Sequence, residues 1–239
     1  MTDQPKEITL TAEQLKTIKK FRLAMIPFRL ILAMAFFSLI VGGFRRFFGE
    51  LPGQVFAGLF GCLIIIERIF QAPDAGGQRK DKGSAAVLWI SFGLSYVLGM
   101  VDFYWISPHW PQWRMLSYGW YWPAAGAGLY IIGQSIRVIA IRTLGRFFTI
   151  SVRLHDQHKV VQHGIYRRIR HPAYTGLWLI NLGFVTVFAS PLAFAVYFLF
   201  GTPGLIYRIR VEERVLIDQF GDEYRAYMRK SKRLIPFIY

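Results

Sequence analysis

The sequence predicts an all-α membrane protein: a polytopic bundle of about six transmembrane helices that includes a carboxy-terminal helical hairpin, with binding segments on the cytoplasmic side. Hydrophobic residues make up 54% of the 239 residues and aromatic residues 17%, whereas charged residues make up 18%. This composition lies outside the usual range of soluble domains. Long apolar runs also recur along the chain, with basic clusters between them.

The apolar runs define the predicted membrane helices. Four of them precede the carboxy-terminal third, at residues 24–44, 53–70, 86–105 and 119–141. Each predicts one crossing, because a helix needs roughly 20 apolar residues to span a bilayer. The stretch 173–205 is too long for one crossing and is interrupted by Ser190 and Pro191. It therefore predicts two helices that turn at this proline.

The amino-terminal segment, residues 1–22, carries mixed charges without an apolar core and cleavage site, so we expect no removable signal peptide. Glu13 and Gln14 suit the first turn of a helix that begins near Thr11 and lies on the membrane surface. The chain then divides into an amphipathic segment at 1–22, four transmembrane helices in 23–141, and a carboxy-terminal region in 142–239 that carries the candidate site.

Basic residues favour one side of the membrane. If the amino terminus is inside, the outer loops contain only Arg45, Arg46 and Arg114 of the loop arginines and lysines. The positive-inside rule then predicts that both termini and the candidate site are cytoplasmic. On a soluble protein, a formal net charge of +15 would suggest nucleic acid. Between apolar runs, it indicates membrane lipids as the partner and no nucleic acid.

The single cysteine, Cys62, lies in an apolar run. It leaves no partner for an intrachain disulfide and excludes zinc sites built from several cysteines. We expect it to be a buried small hydrophobic residue, and we expect no metal site. The sequence leaves the oligomeric state open.

A polar, basic and aromatic segment at 158–176 precedes the predicted hairpin. Arg167 and Arg168 are typical of residues that anchor a helix at a membrane surface. Pro172 favours a helix that begins there, and backbone N–H groups of its first turn would offer hydrogen bonds to a carboxylate or an adenine edge. Gly164 permits a turn that brings the backbone close to a ligand. This segment therefore predicts a binding site at the membrane face.

A second polar segment at 207–227 follows the hairpin and contains Glu212 and Glu213. Helical spacing would allow an ion pair between Glu213 and Arg210. Carboxylates this close to a membrane are costly unless they are paired or functional. The spacing alone leaves both alternatives open.

Arg137 lies about one helical turn inside the fourth apolar run, with Gln134 about one turn before it. An arginine at this depth is costly in lipid. It either faces a polar cavity or extends its long side chain to the nearby surface, and the sequence leaves both possibilities open. Together with Gln134, it would form a polar stripe on the helix.

An ordered series of motifs resembles the isoprenylcysteine carboxyl methyltransferase family. The pattern H-x-V-V-x-x-G-x-Y-x-x-x-R-H-P-x-Y-x-G covers 158–176, and E-E-x-x-L-x-x-x-F-G-x-x-Y-x-x-Y covers 212–227. The resemblance spans about 133–239, from Gly133 through 143–149 to the segment 235–238. It implies a membrane enzyme that uses S-adenosyl-L-methionine, bound on the cytoplasmic side by the segment before the hairpin and the helix after it.

The resemblance also implies roles for individual residues. Around the cofactor it places His158, Val160, Val161, Gly164, Tyr166, Arg170, His171, Pro172, Tyr174, Glu212 and Glu213. It suggests Arg137 and Arg208 as the catalytic pair near the substrate carboxylate. Their charges would orient that carboxylate for in-line attack on the methyl group. The resemblance implies no metal.

The acceptor implied by the resemblance is lipophilic: the carboxylate of an isoprenylcysteine-like substrate, of an isoprenoid or of another lipid. A gap between helices on the lipid side would admit its tail. Family members that act on prenylated proteins carry a longer acidic run where Arg210 and Val211 stand in this chain. This departure leaves the identity of the acceptor open.

Two other functions are compatible with parts of the sequence. Membrane sterol and steroid reductases, which use NADPH, have a similar histidine-proline-aromatic element and tyrosine-rich tail. The paired glutamates followed by Phe220 and Gly221 favour the methyltransferase. A scaffold or transporter is less favoured because the polar groups cluster on one face rather than at mid-membrane.

Overall fold

The computed structural model describes residues 12–70, 83–110, 118–145, 148 and 160–234. Within these ranges the chain is helical, and its one extended pairing is an isolated bridge between Ile169 and Lys232. The all-α prediction is therefore confirmed for this part of the chain. The helices are α1 (Ala12–Ala24), α2 (Ile26–Ile40), α3 (Phe44–Gly49), α4 (Leu51–Phe70), α5 (Ser84–Val101), α6 (Tyr121–Leu144), α7 (Pro172–Phe188), α8 (Pro191–Val196), α9 (Thr202–Phe220) and α10 (Asp222–Lys230).

Four helices are long and apolar enough to cross a membrane. They are α4, α6, the helix Ser84–Ile106 that extends α5 by a π-helical turn, and the continuous helix Pro191–Phe220 that joins α8 to α9. Helices α2 and α7 are also apolar, with 15 and 17 residues. These apolar helices indicate an integral membrane protein. The number of crossings and the cytoplasmic side stay predictions.

The first predicted run, residues 24–44, is longer than the helix it contains. Helix α1 ends at Ala24, and α2 ends at Ile40 because Gly42 and Gly43 adopt φ angles of 90° and 129°. L-residues with side chains rarely adopt this region, so the two glycines end the helix. Helix α2 is therefore shorter than the roughly 20 residues needed to span a bilayer without adjustment.

The chain reverses between α7 and α8, at the predicted Ser190 and Pro191. Ser190 caps the new helix, because its hydroxyl accepts the N–H of Ala193 at 3.1 Å. Helix α7 and the helix Pro191–Phe220 then lie side by side, with Trp178 Nε1 donating to Thr202 Oγ1 at 3.1 Å. The second arm and the helix after it were predicted as separate elements. They are one helix of 30 residues with a π-helical turn at Tyr197–Gly201.

Helices α6 and α7 pack backbone to backbone through two pairs of glycines. A Cβ atom at Gly133 would lie 2.6 Å from the Gly176 carbonyl oxygen, and one at Gly126 would lie 2.6 Å from that of Gly183. The glycines on each helix are about two turns apart and so share one face. This contact fixes Arg137, about one turn after Gly133, against the start of α7.

The aromatic core lies where α4, α5 and α7 meet. The ring of Phe56 lies 5.0 Å from that of Phe184, and both side chains are fully buried. Cys62 on α4 is exposed, so the expectation of a buried cysteine was wrong. The apolar run around it explains this position, because an exposed face of a membrane helix contacts lipid rather than water.

Candidate functional site

The candidate site lies where the end of α6, the start of α7 and the middle of α9 converge. The hydroxyl of Tyr174 on α7 donates to Glu212 Oε2 at 2.6 Å and accepts from Arg208 Nε at 3.1 Å. Arg208 is 2% exposed, and its Nη1 donates to Ser84 Oγ at the start of α5 at 2.8 Å. Tyr174 therefore joins a carboxylate to one of the two predicted catalytic arginines.

Arg137 approaches the same turn of α7 from α6. Its Nη1 donates to the carbonyl oxygen of Ala173 at 3.1 Å, while its Nε and Nη2 donate to the two carboxylate oxygens of Glu67 at 2.5 and 3.1 Å. Arg137 is 5% exposed. Of the two possibilities left by the sequence, the structure shows the polar interior, and Gln134 is buried on the same helix.

Glu67 is a site residue that the sequence interpretation missed. Because Glu67 lies near the end of the apolar run 53–70, the sequence predicts that its side chain reaches water at the membrane surface. The carboxylate instead turns inward to Arg137, and the Glu67 side chain is 13% exposed. The signal was present, because a carboxylate next to an apolar run is costly unless it is paired. The sequence alone did not identify its partner.

Glu213 forms ion pairs with other segments of the chain, not within its own helix. Its Oε1 lies 3.0 Å from Arg170 Nε and its Oε2 lies 2.9 Å from Arg233 Nε. His171 Nε2 is 3.4 Å from Oε1, but it is buried and too poorly aligned for a hydrogen bond. These contacts replace the intrahelical pair with Arg210 that the spacing allowed. Glu213 is a buried cross-link with a side chain 4% exposed.

Arg170 connects the segment before α7 to the tail after α10. Its Nη1 donates to the Met228 carbonyl at 2.9 Å and also to the Ser231 carbonyl. The backbones of the two segments pair beside it: Arg170 N–H donates to the Lys232 carbonyl at 2.7 Å, and Lys232 N–H donates to the Arg168 carbonyl at 2.9 Å. The tail therefore encloses one side of the site.

Two tyrosines complete this enclosure. The Tyr227 hydroxyl donates to the Tyr166 carbonyl at 2.6 Å. Burial raises the pKa of Tyr227 to about 12, although the nearby Arg170 guanidinium lowers it in part. Burial also raises the pKa of Tyr166. Both phenols are therefore neutral near pH 7.

The loop before α7 follows the predicted backbone at two positions. Gly164 has a φ of 58°, and a Cβ atom there would lie 3.3 Å from Thr143 Cγ2, so the predicted turn is confirmed. Pro172 is the first residue of α7, as predicted. The N–H groups of Tyr174 and Thr175 both donate to the carbonyl of His171, at 3.0 and 3.1 Å. These two groups, which the sequence predicted as ligand donors, are therefore already bonded.

The remaining predicted cofactor residues lie at the edge of the described segment. Val161 packs against a small cluster that contains Tyr166 and Ala173, and Val160 is partly exposed. His158 lies outside the described residues.

Glu212 is the more accessible member of the glutamate pair, because its side chain is 27% exposed whereas that of Glu213 is 4% exposed.

An apolar groove of about 630 Å³ lies between α2, α4 and α5 and ends near this site. Its apolar lining includes Phe60, Leu63 and Trp89, and its polar lining includes Arg29, Glu67 and Arg68. Glu67 therefore borders both the groove and the guanidinium of Arg137.

Comparisons with known proteins support the predicted resemblance. The sequence model of the isoprenylcysteine carboxyl methyltransferase family matches residues 126–218. A probable protein-S-isoprenylcysteine O-methyltransferase of Oryza sativa subsp. indica is 38% identical over 121 residues, which are 50% of this chain and 63% of that protein. The protein-S-isoprenylcysteine O-methyltransferase of Saccharomyces cerevisiae is 35% identical over 115 residues, 47% of this chain and 48% of that protein. The matches thus span about half to two thirds of these curated relatives.

A solved structure is also similar over most of the chain. It is described as the eukaryotic intramembrane Ras methyltransferase, an isoprenylcysteine carboxyl methyltransferase, without a monobody. The TM-score is 0.56, and the similarity covers 90% of this chain and 85% of that chain. At 20% identity, this similarity shows a shared fold.

Proposed function

We propose that this chain, whose residues 126–218 match the model of the isoprenylcysteine carboxyl methyltransferase family, is an integral membrane methyltransferase of that family. It transfers the methyl group of S-adenosyl-L-methionine to the carboxylate of a lipophilic acceptor, which is an isoprenylcysteine-like compound, an isoprenoid or another lipid. Its site and both termini face the cytoplasm, in accordance with the distribution of basic residues.

One observation carries the proposal. The two predicted catalytic arginines come from different helices and reach consecutive residues at the start of α7: Arg137 donates to the carbonyl of Ala173, and Arg208 donates to the hydroxyl of Tyr174. Glu212 of α9 contacts the same turn, because it accepts a hydrogen bond from the Tyr174 hydroxyl. Basic groups suited to an acceptor carboxylate and an acidic group suited to a cationic donor therefore lie side by side.

The residues around Glu212 fit the proposed cofactor. The Glu212 carboxylate is held by Tyr174 and remains partly exposed, so it suits the amino group, the ribose hydroxyls or the sulfonium. The buried His171 ring lies between the two glutamates, with Nδ1 3.7 Å from Glu212 Oε1 and Nε2 3.4 Å from Glu213 Oε1. In this proposal Glu213 and Arg170 act mainly by fixing Glu212 and His171 in place. Val160, Val161 and Gly164 are assigned to the same cofactor site.

When bound, the cofactor supplies a methyl group on a positively charged sulfur that leaves as a neutral thioether. The protein has to align the acceptor oxygen with that methyl group and to exclude water. An ionised acceptor carboxylate needs no general base. Arg137 and Arg208 orient this carboxylate, and too tight a contact would reduce its nucleophilicity.

Calorimetric binding of S-adenosyl-L-methionine, S-adenosylhomocysteine and NADPH to the detergent-purified protein tests the proposal. Both adenosyl ligands should bind, and Glu212→Gln should weaken both. Asp218→Asn is the matched control, because it removes an exposed carboxylate from the same helix and should leave binding unchanged. Binding of NADPH alone would instead favour the reductase, and binding of none of the three would overturn the proposal.

A further inference from the structure

The Arg137–Glu67 pair has the geometry with which an arginine binds a substrate carboxylate. Arg137 Nε and Nη2 each donate to a different oxygen of Glu67, at 2.5 and 3.1 Å. This two-bond arrangement is the strongest that an arginine forms with a carboxylate. The pair is buried, with side-chain exposures of 6% for Arg137 and 13% for Glu67. A carboxylate of the protein thus occupies one edge of an arginine proposed to bind the acceptor.

We propose that Glu67 is a displaceable ligand of Arg137, which holds this edge of the guanidinium until the acceptor carboxylate replaces it. The inference rests on the proposed function and identifies a specificity-determining residue for the same site. Glu67 lies outside the segment 126–218 that matches the family model.

The third hydrogen bond of Arg137 explains how the exchange leaves the site intact. Nη1 donates to the Ala173 carbonyl at 3.1 Å, and this bond does not involve Glu67. The guanidinium therefore remains directed at the start of α7 when Glu67 moves away. Only the carboxylate bound by Nε and Nη2 is exchanged.

The apolar groove supplies the direction of approach. Glu67 lines this groove, and it is the more exposed member of the pair. A hydrocarbon tail in the groove would therefore bring its carboxylate to Arg137 from the side that Glu67 occupies. Arg29 and Arg68 line the same groove, so cations lie beside the path of the displaced Glu67 carboxylate.

The exchange of one carboxylate for another keeps the charge of Arg137 compensated. Removing the partner of a buried ion costs much more than replacing it with a similar group. Methyl transfer changes this balance, because the ester product carries no charge and cannot form the same charge-assisted pair. Glu67 then returns to Arg137 and restores its charged partner. The residue therefore lowers the affinity of the site for the acid, which must displace it, but not for the neutral ester.

The test compares the affinities of N-acetyl-S-farnesylcysteine and its methyl ester for the purified protein without a methyl donor. Glu67→Gln removes the competing charge but keeps an oxygen that accepts from Arg137. The acid should bind about tenfold more tightly to this variant, whereas the affinity for the ester should change by less than about twofold. The matched control, Glu50→Gln, removes an exposed carboxylate next to the other end of α4 and should alter neither affinity.

A second variant, Glu67→Asp, keeps the inference testable if Glu67→Gln does not fold. Glu67→Asp keeps the charge on a shorter side chain that cannot reach both nitrogens in the same way, so the acid should also bind more tightly to it. Unchanged or weaker acid binding in both variants, or an equal gain for acid and ester, would overturn the inference. These measurements need no cofactor, so a failure of S-adenosyl-L-methionine to bind would count against the proposed function alone.

Discussion

Arg170 Nε and Glu213 Oε1 lie 3.0 Å apart, and both side chains are more than nine-tenths buried. This pair links the segment before α7 to α9, which follows it by about 40 residues of chain. Because Glu213 is fixed, its neighbour Glu212 is held beside Tyr174. Glu213 therefore positions the two chain segments, whereas Glu212 lies at the accessible surface of the site.

Glu213→Gln should destabilise the protein far more than Glu212→Gln. The first substitution leaves Arg170 and Arg233 without their carboxylate, and breaking a buried pair in this way costs roughly 3–5 kcal/mol. The second affects a side chain that is 27% exposed and loses mainly one charged acceptor for Tyr174. Thermal unfolding in detergent, followed by tryptophan fluorescence, measures the difference. Equal melting temperatures for the two variants would contradict the assignment of Glu213 as the cross-link.

Gly133→Ala should displace α6 from α7 and with it the guanidinium of Arg137. The added Cβ atom would lie 2.6 Å from the Gly176 carbonyl oxygen and 2.7 Å from the Ile180 nitrogen. Neither is the end of a flexible side chain, so the helices must separate, at a cost of about 1–3 kcal/mol. We expect a lower melting temperature and a loss of methyl transfer.

The matched control for this substitution lies on the same helix. A Cβ atom at Gly128 would meet no other atom within 4 Å. Gly128→Ala should therefore leave stability and activity unchanged, or raise stability slightly through helix propensity. If both variants lose the same stability, the cause is not the close packing of α6 against α7.

Arg137→Ala should impair turnover more than cofactor affinity, whereas Tyr174→Phe should impair both. The phenol of Tyr174 is the group that joins Glu212 to Arg208. Its removal leaves two charged groups without a shared partner, at a cost of about 1–3 kcal/mol. Arg137 contacts Ala173 and Glu67 instead. Calorimetry of S-adenosyl-L-methionine and single-turnover methyl transfer separate the two effects, and equal loss of cofactor binding in both variants would contradict this division of roles.

Local sequence patterns predicted the parts of the fold that depend on local chemistry. Apolar runs predicted the membrane helices, and Pro172 predicted the start of α7. Gly164 predicted the turn before α7, where its φ is positive. The apolar pattern overestimated the length of the first membrane helix, because Gly42 and Gly43 end α2 within an apolar stretch. Two glycines hardly change the mean hydropathy of a long apolar run, but their positive φ angles end the helix.

The partners of the charged residues could not be predicted in the same way. Glu67 and Arg137 are far apart in the chain, and Arg233 reaches Glu213 only because the tail pairs with the segment before α7. Helical spacing allowed Arg210 as a partner of Glu213, because spacing considers only one helix. A tertiary ion pair depends on how helices are arranged, which a single sequence does not specify.

Alkaline pH should weaken the docking of the tail through Tyr227. Burial raises the pKa of this phenol to about 12 in the folded protein, whereas an unfolded tyrosine titrates near about 10. Between these values the unfolded state has lost a proton that the folded state retains, so stability falls as the pH rises, and below about pH 10 this contribution is fully present. Tyr227→Phe should be less stable at pH 7, because the hydrogen bond to the Tyr166 carbonyl is lost. Its stability should fall less steeply above pH 10 than that of the wild type in urea unfolding at stepped pH, and parallel pH profiles would show that Tyr227 does not control this transition.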